Sequence, residues 1–340
     1  MASTQHGRVL HGSAEKLQRL SAGFDRQPVD WEWLPDLPRL DRFQTTLAKP
    51  VSVTGPGTFF HHAQRTLQFA PANAEGWWFD RTDLPDVMPI PVAARSVWTT
   101  ARNIVLCSGS PHNYMRMVEH IVALRVGFGL DNVGIRMDSG DPPLFDRGSM
   151  ELVEALEQGG LIEIDRPIRY VTVREPVTVV GENGSFLTVQ PCTSAPPSLT
   201  LDCAVDFRTA IGQQRIRIRI TPETARYGSL ARTNCSFAQV LFAKTVGLLF
   251  ADFRNLGYTR RNILIAGRHR YINTPALVHN GKSLEAVWHR AIMDLAAAIA
   301  LIDTGRFVGH VLSYRAGHAL DVLMVRKLYE HQLLTPVPLP

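Results

Sequence analysis

The sequence predicts an α+β protein built as two domains, each a β-sheet layered on α-helices. Three observations predict it. At 340 residues the chain exceeds what one hydrophobic core comfortably serves. Hydrophobic residues make up 45% and charged residues 20%, the balance of a globular protein. Strand-like segments precede helical ones, and that order occurs twice along the chain.

Residues 1–41 read as an N-terminal extension. Trp31-Glu-Trp-Leu-Pro-Asp-Leu-Pro is broken by proline and lacks periodicity, which predicts a segment that wraps the surface or is partly disordered. The first domain is placed at 42–165. Residues 51–53 and 66–69 alternate apolar and polar as strands do, with Thr54-Gly-Pro-Gly turning between them. Residues 77–79 and 132–137 read as further strands. Residues 115–126 and 149–158 read as helices, each closed by glycines. The second domain is placed at 166–332. Five strand-like runs between 170 and 220 come first. Helices near 237–255 and 284–301, a strand at 308–313 and a helix at 319–330 follow, and 333–340 remain as a tail.

Composition narrows the function classes. No apolar run reaches the roughly 20 residues of a membrane span, and no basic-then-apolar leader is visible, which predicts a cytoplasmic protein. Cys107, Cys192, Cys203 and Cys235 form no C-x-x-C pair and read as free thiols. The net charge of +5 suits an anionic substrate, or a peripheral contact with anionic lipid. It carries no nucleic-acid-binding signature.

Four clusters can carry chemistry. Glu119-His120 lies near the middle of the 115–126 helix, either as a polar edge or as a metal-binding histidine beside a general base. His289, Arg290 and Asp294 share a later helix, and His and Asp are both zinc-ligand types. Five steps at about 100° each set His289 and Asp294 roughly 140° apart. They reach one ion only if a π-bulge widens the helix between them. Otherwise His289 is a surface residue and Arg290 pairs with Asp294 at i,i+4. His318 follows Gly317 at a helix entrance, as a cap or facing a cleft. Thr233, in Ala231-Arg-Thr, offers a hydroxyl to a developing oxyanion.

Taken in order, these blocks resemble the UDP-3-O-acyl-N-acetylglucosamine deacetylase family over about residues 44–330. Met117-Val-Glu-His-Ile-Val-Ala-Leu with Gly127-Phe-Gly-Leu-Asp-Asn132 resembles that family's T-V-E-H-L…A-L-x-G-x-G-I-D-N block. Asp146-Arg-Gly-Ser149 is similar to its D-G-S loop with one residue inserted, Ala231-Arg-Thr233 to its A-R-T turn, and Arg315-Ala-Gly-His318-Ala-Leu to its K-S-G-H-A-L. Phe79-Asp-Arg-Thr-Asp-Leu84 and Ala70-Pro-Ala-Asn73 match further segments. The resemblance implies two similar domains with the active site between them, and zinc-dependent hydrolysis of an N-acetyl group on an amino sugar or UDP-amino sugar of lipid A biosynthesis. It implies His120, His289 and Asp294 as zinc ligands and Glu119 as general base. Thr233 would stabilise the oxyanion, and His318 would protonate the leaving amine. Arg174 and Arg290 would bind substrate.

The chain departs from that pattern. His289 and Asp294 are five apart where the family has four, so a π-bulge is expected in the 284–301 helix. An aspartate expected to orient the catalytic histidine aligns with Ala298. Arg174 replaces a lysine that contacts the diphosphate, and Val189 aligns with an aromatic that stacks on uracil. The region 237–287, where the family builds its acyl passage, is longer. With a terminal segment that could cover the cleft, these departures imply a substrate with less acyl surface. The alternative expectation is a catalytically degraded relative that binds a sugar nucleotide or protein partner without turnover.

Overall fold

The computed structural model of the protein describes residues 5–59, 63–246 and 257–338. It is a mixed α+β architecture. The helices are α1 (Ala14–Arg26), α2 (Glu119–Gly127), α3 (Met150–Gly159), α4 (Pro222–Gly228), α5 (Phe237–Lys244), α6 (Glu285–His289), α7 (Ala296–Ala300) and α8 (His318–Glu330). No helix among the described residues is long and apolar enough to cross a membrane.

A five-stranded sheet in the first half runs Val51–Pro56, Gln64–Pro71, Val133–Met137, Trp77–Arg81, Ile90–Pro91. Leu67, Phe69, Phe79 and Ile135 alternate with polar neighbours and face the core. A seven-stranded sheet in the second half runs Arg8–His11, Val177–Gly181, Ser185–Gln190, Gly309–Tyr314, Leu199–Asp206, Gln213–Arg219, Trp31–Trp33. Its middle strands are buried almost residue for residue: every residue of 185–189 and of 201–205 is buried. Continuous burial of that kind means that both faces are covered. Val179, Leu187, Val189 and Leu201 join the main core with α7 and α8, while Val180, Phe186, Ala204, Leu312 and Tyr314 face Leu17 and Phe24 of α1.

The N-terminal segment is therefore a structural member of this sheet and not a loose wrap. Arg8–His11 pairs parallel with the Val177 strand, and Trp31–Trp33 pairs parallel with the Gln213 strand, so the segment supplies both edge strands and keeps them short. Arg215 holds the segment down. Its Nε and Nη2 donate to Asp202 at 2.8 and 3.0 Å, its Nη1 donates to the Phe24 and Gln27 carbonyls, and its guanidinium lies 3.8 Å from the Phe24 ring centre. The C-terminal residues also join a sheet: Leu334–Pro336 pairs with Tyr170–Val173.

Two expected helices change. Met117 adopts a left-handed φ of 50°, so the helix cannot start at 115. It begins at Glu119, which puts Glu119-His120 in the first turn and not mid-helix. The helix expected over 237–255 is described as Phe237–Lys244, and its later part lies outside the described residues.

Asp202 is fully buried and holds both Arg215 and Arg217. Asp202→Asn is expected to cost about 3–5 kcal/mol, because it leaves a buried guanidinium without its countercharge. The midpoint of urea unfolding measures it.

Candidate active site

The first turn of α2 presents Glu119 and His120. Ile104 N–H donates to Glu119 Oε2 at 3.0 Å, which fixes the carboxylate. Burial raises the Glu119 pKa, and the nearby His318 partly offsets that. His120 Nε2 is 3.2 Å from Thr233 Oγ1, and its Nδ1 is 3.4 Å from Ser149 Oγ. Burial, with His289 and His318 close by, pushes the His120 pKa down to about 3, so the ring is neutral and its lone pair is available.

His289 and Asp294 meet as the five-residue spacing demands. Residues Arg290–Leu295 form a π-helical turn between α6 and α7. Hydrogen bonding from i to i+5 sets the fifth residue over the first. His289 Nδ1 is 3.4 Å from Asp294 Oδ1, and Arg290 pairs elsewhere. The widened turn needs room on its flank. A Cβ on Gly228 of α4 would lie 2.3 Å from Ile292 Cγ1 and 2.9 Å from a ring atom of Trp288, so the glycine admits the bulge.

Thr233 is set by its neighbour. The Arg232 backbone N–H and Nε both donate to Glu285 Oε1, Nη2 donates to Glu285 Oε2, and Glu285 is fully buried. The pair pins the Ala231-Arg-Thr turn to the start of α6. The Thr233 hydroxyl then lies 3.2 Å from His120 Nε2 and 3.1 Å from His289 Nε2. His318 opens α8, with Nε2 3.6 Å from Asp294 Oδ1 and 3.8 Å from Glu119 Oε1. Burial lowers the His318 pKa, but Asp294, Glu119 and Asp321 outweigh it and the net shift is upward. For Asp294, burial is outweighed by His289, His318 and Arg290, and its pKa falls.

The fold thus brings together Glu119, His120, Thr233, His289, Asp294 and His318, drawn from four separate stretches of chain. Among the described residues no three His, Cys, Asp or Glu side chains already stand at metal-holding positions. The donor types nevertheless fit a divalent ion. Two imidazole Nε2 atoms converge on one hydroxyl oxygen. Asp294 Oδ1 is buried without a hydrogen-bond partner, having only imidazoles at ion-pair distance.

Other expected site residues are placed differently. Arg290 is buried, and its Nη2 donates to Asp321 Oδ1 at 2.5 Å and to Ser313 at 3.0 Å, so it serves the interior and not an open binding wall. Arg174 is exposed just past the Tyr170–Val173 strand, and no contact joins it to the cluster. Val189 sits inside the seven-stranded sheet, paired with Val177 and Val311, where no base could stack on it. Among the described residues, the N-terminal segment lies on that sheet and its edges, with Trp31 and Trp33 against Trp288, and none is seen to contact the cluster. Two supporting residues escaped the sequence reading. Ser149, beside His120, stood inside the quoted Asp146–Ser149 motif. Glu285 is 53 residues from Arg232, and no local signal links them.

Gly228→Ala is expected to press on Ile292 and cost about 1–3 kcal/mol by overpacking. Differential scanning calorimetry gives the cost. An unchanged melting temperature would show that the turn does not lean on α4.

Comparison with known proteins identifies the family. The family model for UDP-3-O-acyl N-acetylglycosamine deacetylase matches residues 44–330. Three relatives carry the name UDP-3-O-acyl-N-acetylglucosamine deacetylase. The protein of Solibacter usitatus is 26% identical over 292 residues, covering 84% of this chain and 91% of its own length. That of Syntrophus aciditrophicus is 29% identical, covering 85% and 87%. That of a Nostoc species is 30% identical over 297 residues, covering 84% and 98%. With a match over most of its length and the six site residues assembled in one place, the chain belongs to the UDP-3-O-acyl N-acetylglycosamine deacetylase family.

Proposed function

We propose that the protein hydrolyses the N-acetyl group of a UDP-linked, acylated amino sugar, with zinc held by His120, His289 and Asp294. The observation that carries the proposal is the convergence of Glu119, His318 and Thr233 on the His120–His289–Asp294 donor set. The names of the relatives supply the substrate class. Zinc in such a set supplies Lewis acidity and brings the pKa of water down to about 7.

The side chains do the rest. Glu119, buried and anchored by the Ile104 N–H, takes a proton from the water as it attacks the acetyl carbonyl. The Thr233 hydroxyl donates to the oxygen that gains charge. His318, cationic between Glu119 and Asp294, offsets the developing charge and gives its proton to the sugar nitrogen as the C–N bond breaks. Acetate and the protonated amine leave, and the proton held by Glu119 returns to His318 to reset the pair.

The acylated substrate is favoured over a smaller one. Two of the three sequence arguments for less acyl surface fail, since Val189 is a core residue and the N-terminal segment does not cover the cluster. The rebuilt region holds a cavity of about 660 Å³ lined by Ala101, Cys235, Ala238, Phe242, Tyr258 and Ile263, among others. It adjoins Thr233 through Asn234 and Cys235, and Tyr258 lies near enough to Glu119 to feel its charge. Phe237, Leu241 and Phe242 of α5 are exposed beside it. An apolar recess next to the reacting groups suits a hydrocarbon chain. The non-catalytic alternative is less favoured, because Glu119, Thr233, His318 and the His120–His289–Asp294 donor set are gathered in one place.

Acetate release from UDP-3-O-acyl-N-acetylglucosamine, compared with UDP-N-acetylglucosamine, tests the reading. A clear preference in kcat/KM for the acylated sugar is expected, and no hydrolysis of either by zinc-loaded protein would end it. Glu119→Gln is expected to lower kcat by about 10²–10⁴-fold while elemental analysis still finds one zinc per chain. Loss of the zinc would move Glu119 among the ligands.

A further inference from the structure

The His318 ring is held at one end only. Its Nε2 faces Glu119 and Asp294, while Nδ1, on the other side of the ring, is buried with no hydrogen-bond partner. The sequence aligned Ala298 with the carboxylate expected to hold this ring, and α7 indeed reads Ala296-Ala-Ala-Ile-Ala, without a single acceptor side chain. Asp321 lies one turn along α8 from His318, three residues on, where side chains share a face. It is fully buried. Its Oδ1 is taken by Arg290, and its Oδ2 has no partner.

We infer that Asp321 is the positioning residue for His318, with its Oδ2 accepting from His318 Nδ1–H. This rests on the proposed deacetylase reading for its consequence, though not for its geometry. A buried donor and a buried acceptor, neither satisfied, each carry the penalty of lost solvation while left apart. A side-chain rotation or one bridging water joins them and removes both penalties. Arg290 orients the acceptor: its Nη2 fixes Oδ1 at 2.5 Å and also reaches Ser313, which leaves Oδ2 as the free lobe. A carboxylate on Nδ1 sets which ring nitrogen carries the mobile proton, namely the Nε2 that faces the reacting groups. The carboxylate is thus supplied from the histidine's own helix and not from the neighbouring one. Because Arg290 follows His289 directly, the chain that bears two of the proposed ligands also fixes the proton donor's support.

Asp321→Asn is the test, read in two ways. In protein labelled with ¹⁵N-histidine, NMR of the wild type is expected to show a protected His318 Nδ1 proton that the variant loses. This arm needs neither substrate nor zinc. On the acylated UDP-sugar, kcat is expected to fall about 100-fold, within the range for a general acid–base contribution, with KM within about twofold. If the single variant does not fold, Arg290→Met/Asp321→Asn removes both buried charges and is read in the same way. A retained Nδ1 proton, or a kcat within about twofold of wild type, overturns the inference. If the wild type hydrolyses no substrate, the proposed function fails while the NMR arm still decides the role of Asp321.

Discussion

The extra residue in the helix that carries His289 and Asp294 is the constraint around which the site is arranged. An ordinary α-helix would set these side chains on different faces. The π turn at Arg290–Leu295 restores a shared face, and the surrounding packing accommodates it. Trp288, Ala291, Met293 and Leu295 are all essentially inaccessible, so the widened turn is clamped except where Asp294 faces outward. Gly228 on α4 leaves the space that the bulge fills. On the other flank, Ser149 touches both Met293 and His120, so the turn and the first turn of α2 are braced by one hydroxyl.

Buried arginine–carboxylate pairs do the long-range joining. Arg215–Asp202 ties the N-terminal segment to the sheet, Arg232–Glu285 ties the Thr233 turn to α6, and Arg290–Asp321 ties the π turn to α8. Such pairs add little net stability against apolar replacements of equal shape, since desolvating both charges offsets their attraction. Their geometry is demanding, however. A guanidinium fork engages a carboxylate in few orientations, so the two-pronged Arg215–Asp202 and Arg232–Glu285 pairs fix the angle at which their segments meet, while Arg290 holds Asp321 through one nitrogen. Two of the three lie directly behind a proposed reacting group.

The N-terminal segment works on both sides of the second sheet. Its two short strands form both edges of the sheet, α1 covers the outer face, and Trp31 and Trp33 pack against Tyr227 and Trp288 on the side that α7 and α8 also cover. The sheet that carries the strand leading into His318 is thereby enclosed. The proline-broken sequence of this segment hid its role, because strands of three or four residues are too short to show a period.

What the sequence determined by itself was chemistry and spacing. The Glu119-His120 pair, the Ala231-Arg-Thr233 turn and the Gly317-His318 helix entrance are local patterns that survive any change in distant packing. The need for a π turn followed from the resemblance, which makes His289 and Asp294 ligands of one ion, together with the five-residue count, since a regular helix sets them on different faces. Tertiary structure alone decided the rest. Met117 in a left-handed conformation moved the start of α2 to Glu119. The partners Glu285 of Arg232 and Asp321 of Arg290 lie 53 and 31 residues away. Arg290 was read as a substrate contact and Val189 was aligned with a base-stacking position, yet both are enclosed. The physical reason is common to all of these. Residue type and periodicity record what a side chain can do, while burial and pairing depend on which distant segment the fold sets against it.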